Sequence, residues 1–161
     1  SGESSGAELV IDGREHPITN EGAGFFLGPT LFDRVSPDMK IYLEEIFGPV
    51  LVMLRAKNFQ QALDLVNNHR FGNGVAVFTS SGSIAREFTN KVQIGMVGVN
   101  VAIPVPLSFY SFGGWKDSIY GSSNIYGMDG VRFFTKLKTV TTRWPDLNQS
   151  SAVDLSMPTV E

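Results

Sequence analysis

The chain has 161 residues, 42% of them apolar and 18% charged, with a net charge of −3 and no cysteine. That is enough for one domain with a real core, and it is not the composition of a disordered tail. The charge balance gives no footprint for nucleic acid or anionic lipid, and the missing thiols exclude a disulfide framework, a thiolate zinc site and a catalytic cysteine carried by these residues.

Ser1–Gly6 reads as a flexible lead-in, without the basic start or apolar core of a signal peptide. Ala7–Ile11 predicts a short strand closed by a turn at Asp12-Gly13. The Gly22-Ala23-Gly24-Phe25-Phe26-Leu27-Gly28 segment misses the dinucleotide fingerprint by one residue. Pro29-Thr30 opens no helix behind it, so a turn is expected there. An extended stretch over 29–35 follows, and the continuous apolar run Val50–Leu54 predicts a strand buried on both faces.

Phe59, Ala62, Leu63 and Val66 recur at helical spacing, with Asn58 placed as the cap and Gln61 placed to reach back. Val75–Thr79 is a further strand. Ser81-Gly82-Ser83 starts a second helix over Ile84–Lys91, and Met96–Asn100 is a third strand. Strand, helix, strand, helix, strand with short links predicts a parallel sheet with covering helices. Residues 104–130 are dense in Pro, Gly, Ser and aromatics and predict a long ordered loop. Residues 131–142 fit a helix-to-strand transition or two strands, and 145–161 an extended polar tail. The most apolar stretch, Ile94–Leu107, is too short to span a bilayer and is broken by Pro104 and Pro106, so a soluble chain is expected.

Few motifs carry chemistry. His16 and His69 are far apart and lack clustered carboxylates, so no metal site is expected. No Gly-x-Ser-x-Gly elbow occurs, which disfavours a serine hydrolase. Asn148-Gln149-Ser150 matches a glycosylation sequon by chance. Glu44-Glu45-Ile46-Phe47-Gly48-Pro49-Val50 sets two carboxylates beside an aromatic and a Gly-Pro turn. A carboxylate there can accept both hydroxyls of a ribose while the aromatic flanks a flat ring; the alternative is a solvated acidic pair beside a core Phe. Asn100 at a strand end can donate to an oxyanion or close the strand on local backbone. Ser111-Phe112-Gly113-Gly114-Trp115-Lys116 packs aromatics around a Gly pair, where the backbone can turn tightly or approach another chain. Pro104 and Pro106 each fix φ and remove a donor, which predicts a stiff extended wall from Asn100 toward Phe112.

In this order and spacing, the Glu45-to-Val50 segment, Gly72-Asn73-Gly74, the Gly95-to-Asn100 strand and the Phe112-to-Lys116 loop resemble the C-terminal part of an aldehyde dehydrogenase. Within that family the likeness runs to the CoA-acylating methylmalonate-semialdehyde dehydrogenases, through Val99–Pro106, Thr139–Pro145 and Ser156-Met157-Pro158-Thr159. The usual Lys-x-Ser-x-x-Gly-Arg-Glu pattern decays here to Lys116-Asp117-Ser118-Ile119-Tyr120-Gly121.

The resemblance implies an α/β fold: part of the catalytic domain over 7–130, after the lead-in 1–6, and an extended oligomerisation arm and tail over 131–161. It implies NAD as cofactor, coenzyme A as co-substrate, a small semialdehyde substrate and a homo-oligomer. The setting implied is the cytoplasm, or the mitochondrial matrix in a eukaryote, with no nucleic-acid or membrane partner. By position Glu45 matches the residue that holds the nicotinamide ribose, Phe47 the aromatic beside the nicotinamide, and Phe112 an aromatic lining the substrate tunnel. On the same footing the Val101–Pro106 wall would guide the pantetheine arm of CoA; from the residues alone it is equally a plain connector. The family's cysteine nucleophile, general-base glutamate and nucleotide-binding domain lie upstream of the matching region. The chain is therefore expected to be inactive alone. The alternatives are a free-standing assembly fragment, or a segment of a hydrolytic, CoA-independent aldehyde dehydrogenase.

Overall fold

The computed structural model describes residues 1–20, 23–142 and 144. Helix α2 (Phe59–Asn68) forms where the apolar period predicts it. The Asn58 side chain accepts from the Gln61 N–H at 2.9 Å, and the Gln61 amide oxygen reaches back to the Lys57 N–H. Each bond satisfies a donor that a helix start would otherwise leave open. The chain continues through β4 (Phe71–Gly72) and β5 (Gly74–Val77) into α3 (Gly82–Lys91), capped by the Ser81 hydroxyl, and then β6 (Met96–Val99). Strands β5 and β6 run parallel, Val75 opposite Val97 and Val77 opposite Val99. Leu63, Phe88, Val92 and Ile94 are buried between the two helices and this pair, with Phe59, Val66 and Val75 packed around them.

A second core sits beside it. β1 (Glu8–Ile11), β2 (Thr30–Asp33) and β3 (Val50–Val52) form a three-stranded sheet with β2 central, antiparallel to β1 and parallel to β3. With the short helix α1 (Lys40–Leu43) it encloses Ala7, Val35 and Met39, backed by Phe32, Ile41, Tyr42 and Leu54. Asp33, at the end of β2, pairs with Arg55 beyond β3, and that guanidinium holds its carboxyl below the usual carboxylate range.

The α/β class is as expected, but the expected single sheet is divided. β3 ladders with β2, through Thr30 N–H to Pro49 O and Met53 N–H to Phe32 O, rather than with β5. It is an edge strand, so Leu51 is 64% exposed instead of buried on both sides. Asp12-Gly13 closes no hairpin. Asp12 starts a 3-10 turn over Gly13–Glu15, accepting from the Arg14 N–H and pairing with the Arg14 guanidinium, which lowers its carboxyl to about 2. Ser1–Gly6 also turns, in 3-10 form over Glu3–Ser5, and the Gly2 backbone lies close against Ile41 and Phe32.

Past β6 the long loop is interrupted by β7 (Trp115–Lys116), antiparallel to β4, and by α4 (Gly127–Phe134). Helix α4 begins earlier than expected, and no strand follows it through Thr142. Most of the expected arm and tail, with the sequon and Ser156–Thr159, lies outside the described residues, as do Glu21 and Gly22 of the glycine-rich turn. No helix among the described residues is long and apolar enough to cross a membrane.

Among the described residues seven hydrophobic side chains are buried while thirty large ones are exposed, including Phe133, Phe134 and Leu137. Two small cores thus hold the chain, and each apolar contact in them counts. Leu63 is 2% exposed. Leu63→Ala should cost about 2–5 kcal/mol of unfolding free energy and Asn58→Ala about 1 kcal/mol, both read from urea unfolding. A Leu63→Ala midpoint equal to wild type would contradict the packing described.

Candidate functional site

The C-terminal end of α2 organises the site. No glycine follows Asn68, and His69 continues in extended form (φ −69°, ψ 140°), so no left-handed residue turns the chain back to close the last carbonyls. Side chains from distant elements close them instead. The Tyr42 hydroxyl donates to Leu65 O at 2.9 Å. The Lys116 ammonium donates to Val66 O (3.3 Å), Asn67 O (2.8 Å) and His69 O (3.0 Å), a cation on the negative end of the helix. Asn67 bridges to the end of α3, donating to Lys91 O and accepting from the Gln93 N–H.

His69 joins the same end to α1. Its Nδ1 accepts from the Phe71 N–H at 3.1 Å, which puts the ring proton on Nε2, and Nε2 donates to Tyr42 O at 2.8 Å. The Tyr42 ring stands edge-on to the imidazole with centroids 4.7 Å apart. Burial raises the Tyr42 phenol above its ordinary range, so it remains a donor to Leu65 at neutral pH.

Tyr42 lies three residues before Glu45, and Lys116 four residues after Phe112. The two expected site segments are therefore seated on one helix end. Glu45 is exposed on a cleft of about 870 Å³, bordered by Arg70, Asn73, Asp117 and Tyr120. Phe112 stacks on Tyr126 (centroids 4.5 Å apart, planes 5° apart) and lines a second cleft of about 480 Å³. The clefts adjoin at Asn73, Ser118, Ile119 and Tyr120, which line both. Phe47 lines neither; it is 98% exposed, so it is no core residue.

Asn100 does not keep a free amide. Its backbone is left-handed (φ 57°), its Oδ1 accepts from the Thr79 N–H and its Nδ2 donates to Thr79 O. Both polar atoms clasp the ends of β5 and β6, so the backbone-closing alternative holds. The wall from Asn100 is not straight either. Val101 O and Pro104 come back over Gly98, where a side chain would meet them, and Pro104 also reaches Gly74. Pro104 therefore stiffens a bend, while Ile103 and Leu107 face outward at 74% and 66% exposure. No group of three or more His, Asp or Glu able to hold a metal ion occurs among the described residues.

Sequence reasoning passes over Tyr42, weighs His69 only as a metal ligand and takes Lys116 only as part of a loop motif. A signal was present: α2 runs into Asn67-Asn68-His69-Arg70 with no glycine or proline to end it. A helix without its own stop needs partners for its last carbonyls, and those partners are the residues that seat the site.

Residues 1–140 match the profile of the Aldehyde dehydrogenase family. The malonate-semialdehyde dehydrogenase of Pseudomonas aeruginosa is 49% identical over 99% of this chain and 32% of its own length. The mitochondrial acylating methylmalonate-semialdehyde dehydrogenase of Arabidopsis thaliana is 50% identical over 99% of this chain and 26% of its own. A Sinorhizobium meliloti structure assigned as a methylmalonate-semialdehyde dehydrogenase, in complex with NAD, superposes with a TM-score of 0.86 at 51% identity, over 92% of this chain and 30% of that one. The chain thus spans a third or less of the length of the relatives it matches.

His69→Phe tests the seat of the Glu45 segment. It keeps a ring against Tyr42 but leaves the Phe71 N–H and the Tyr42 carbonyl without partners, at a cost of about 1–3 kcal/mol by urea unfolding. His69→Asn, able to keep one bond, should lose less. Equal stability in all three proteins would mean that the imidazole joins nothing.

Proposed function

Because the chain belongs to the aldehyde dehydrogenase family, we propose that it serves as the C-terminal segment of an NAD-dependent, CoA-acylating dehydrogenase of malonate or methylmalonate semialdehyde. Identity near one half, along 99% of the chain, to enzymes named for these semialdehydes carries the reading. The acylating step rests on the Arabidopsis relative, whose name includes it.

The residues at hand suit the cofactor's flat ring and sugar. Glu45 offers an exposed carboxylate at a cleft, and two residues on Phe47 offers an uncovered aromatic face. In this proposal Glu45 accepts from the hydroxyls of the nicotinamide ribose, Phe47 flanks the nicotinamide, and Phe112 lines the passage used by the semialdehyde. NAD supplies the hydride acceptor, and coenzyme A the thiol that carries away the acyl group. The work of these residues is orientation. A cofactor held in one pose gains rate by proximity, and a stacked pair such as Phe112 and Tyr126 presents a rigid apolar wall to the substrate.

The chain has no cysteine, so the nucleophile comes from residues outside these 161. The exposed Phe133, Phe134, Leu137 and Val140 side chains would be covered in a homo-oligomer of the complete polypeptide.

The chain alone, mixed with NAD, coenzyme A and malonate semialdehyde, should form no NADH above a heat-killed control. In the full-length polypeptide the product should be acyl-CoA when coenzyme A is present; free acid irrespective of coenzyme A would point to a hydrolytic enzyme. Glu45→Gln in that polypeptide keeps the shape but weakens charge-assisted bonds that contribute roughly 1.5–3 kcal/mol each. Single-turnover hydride transfer should slow by about tenfold or more. A wild-type rate would remove Glu45 from the cofactor site.

A further inference from the structure

We infer that Lys116 is the positioning residue for the substrate side of the site: its ammonium, seated on the open carbonyls of α2, fixes the loop that carries Phe112. The inference rests on the reading of Phe112 proposed above. Three carbonyls, of Val66, Asn67 and His69, converge on Nζ within 3.3 Å. That matches an ammonium, a compact cation with three donors on a flexible stem, better than a flat guanidinium fork. The seat is half-buried, and Lys116 takes a left-handed backbone (φ 53°) that a side chain disfavours. That backbone is held by the Asp117 N–H on Arg70 O and the Ser118 N–H on Trp115 O, and the ammonium's three bonds add the side chain to them.

The rest of the loop is led to Phe112 from this seat. Gly113 and Gly114 pass so close to Gly95 that a side chain at Gly95 would strike the Gly113 carbonyl. Trp115 and Lys116 pair with β4. The Ser118 hydroxyl accepts from the Gly72 N–H at 3.0 Å. Asp117 pairs with Arg70, but both side chains are more than half exposed, so that bond contributes little. Lys116 is therefore the main side-chain anchor on the β4 side of the loop, with Ser118 the second; on its other side Ser111 donates to Asp129 and Phe112 stacks on Tyr126.

The Glu45 segment reaches the same helix end by a different route, through the Tyr42 hydroxyl and the His69 ring. Lys116 uses the His69 carbonyl and neither of those groups. Removing the ammonium should loosen the Phe112 side, with the wall of Lys116, Asp117 and Ser118 that faces Glu45, while the Glu45 segment itself keeps its own ties to α2.

The test uses the full-length polypeptide with Lys116→Met, Lys116→Arg, Ser118→Ala and Phe112→Ala. Lys116→Met should raise KM for malonate semialdehyde about tenfold, with kcat falling less than KM rises and the Kd for NAD within about twofold of wild type. Lys116→Arg should recover part of the loss, and Ser118→Ala should act in the same direction more weakly. Hydrogen exchange should quicken over residues 109–120 in Lys116→Met and stay as in wild type over residues 42–49, a readout that needs no turnover. Unchanged exchange over 109–120, or equal losses in KM and in NAD affinity, would overturn the inference. A raised KM in Phe112→Ala beside a wild-type KM in Lys116→Met would overturn it while leaving the role of Phe112 standing. A wild-type KM in Phe112→Ala would overturn the reading of Phe112 itself, and with it the inference. If Lys116→Met does not fold, Ser118→Ala and Lys116→Arg must still show the split between KM and Kd, and its absence there would overturn the inference.

Discussion

A helix that ends without a glycine leaves carbonyls pointing off its last turn, and in this chain those carbonyls set the arrangement around them. Tyr42 takes Leu65 O, and Lys116 takes Val66, Asn67 and His69 O. Asn67 extends a side chain to the end of α3. Segments from residues 42, 91 and 116 are thus drawn to one point by the need to satisfy backbone acceptors. A glycine in left-handed form after Asn68 would close the same carbonyls locally and remove the reason for the distant contacts. The site depends on that helix being incomplete by itself.

The same incompleteness runs through the apolar surface. Two clusters, of four and three buried residues, hold the described chain together, while thirty large hydrophobic side chains remain exposed. Strands of two to four residues, in three separate sheets, leave backbone edges unpaired. Such a surface is shaped to lie against further protein, in keeping with a chain that spans a third or less of the relatives it matches.

Where a local period or cap decides structure, the sequence is legible. Helix α2 with Asn58, helix α3 with Ser81, and the β5–β6 pair all follow from side chains within a few residues of one another. Pairing between distant strands is not legible. Val50–Leu54 has the composition of a doubly buried strand, yet its burial depends on what lies beside it, and among the described residues only β2 pairs with it. Glu45 and Phe112 stand out through their motifs, but nothing local indicates that they share a helix end. That depends on a lysine binding carbonyls about fifty residues away. Asn100 shows the reverse: a side chain apt for an oxyanion is consumed by Thr79, as short polar residues at strand ends commonly are.

The two clefts meet at Asn73 and Ser118. Glu45 borders one and Phe112 the other, with the α2 end as their common support, which is the adjacency the proposed cofactor and substrate roles require. The most direct measurement is a crystal structure of the full-length polypeptide with NAD bound. The Glu45 carboxylate should lie within about 2.7–3.2 Å of the nicotinamide ribose hydroxyls, with Lys116 still on the α2 carbonyls. A cofactor bound with Glu45 left in solvent, or with Lys116 withdrawn from α2, would contradict that arrangement.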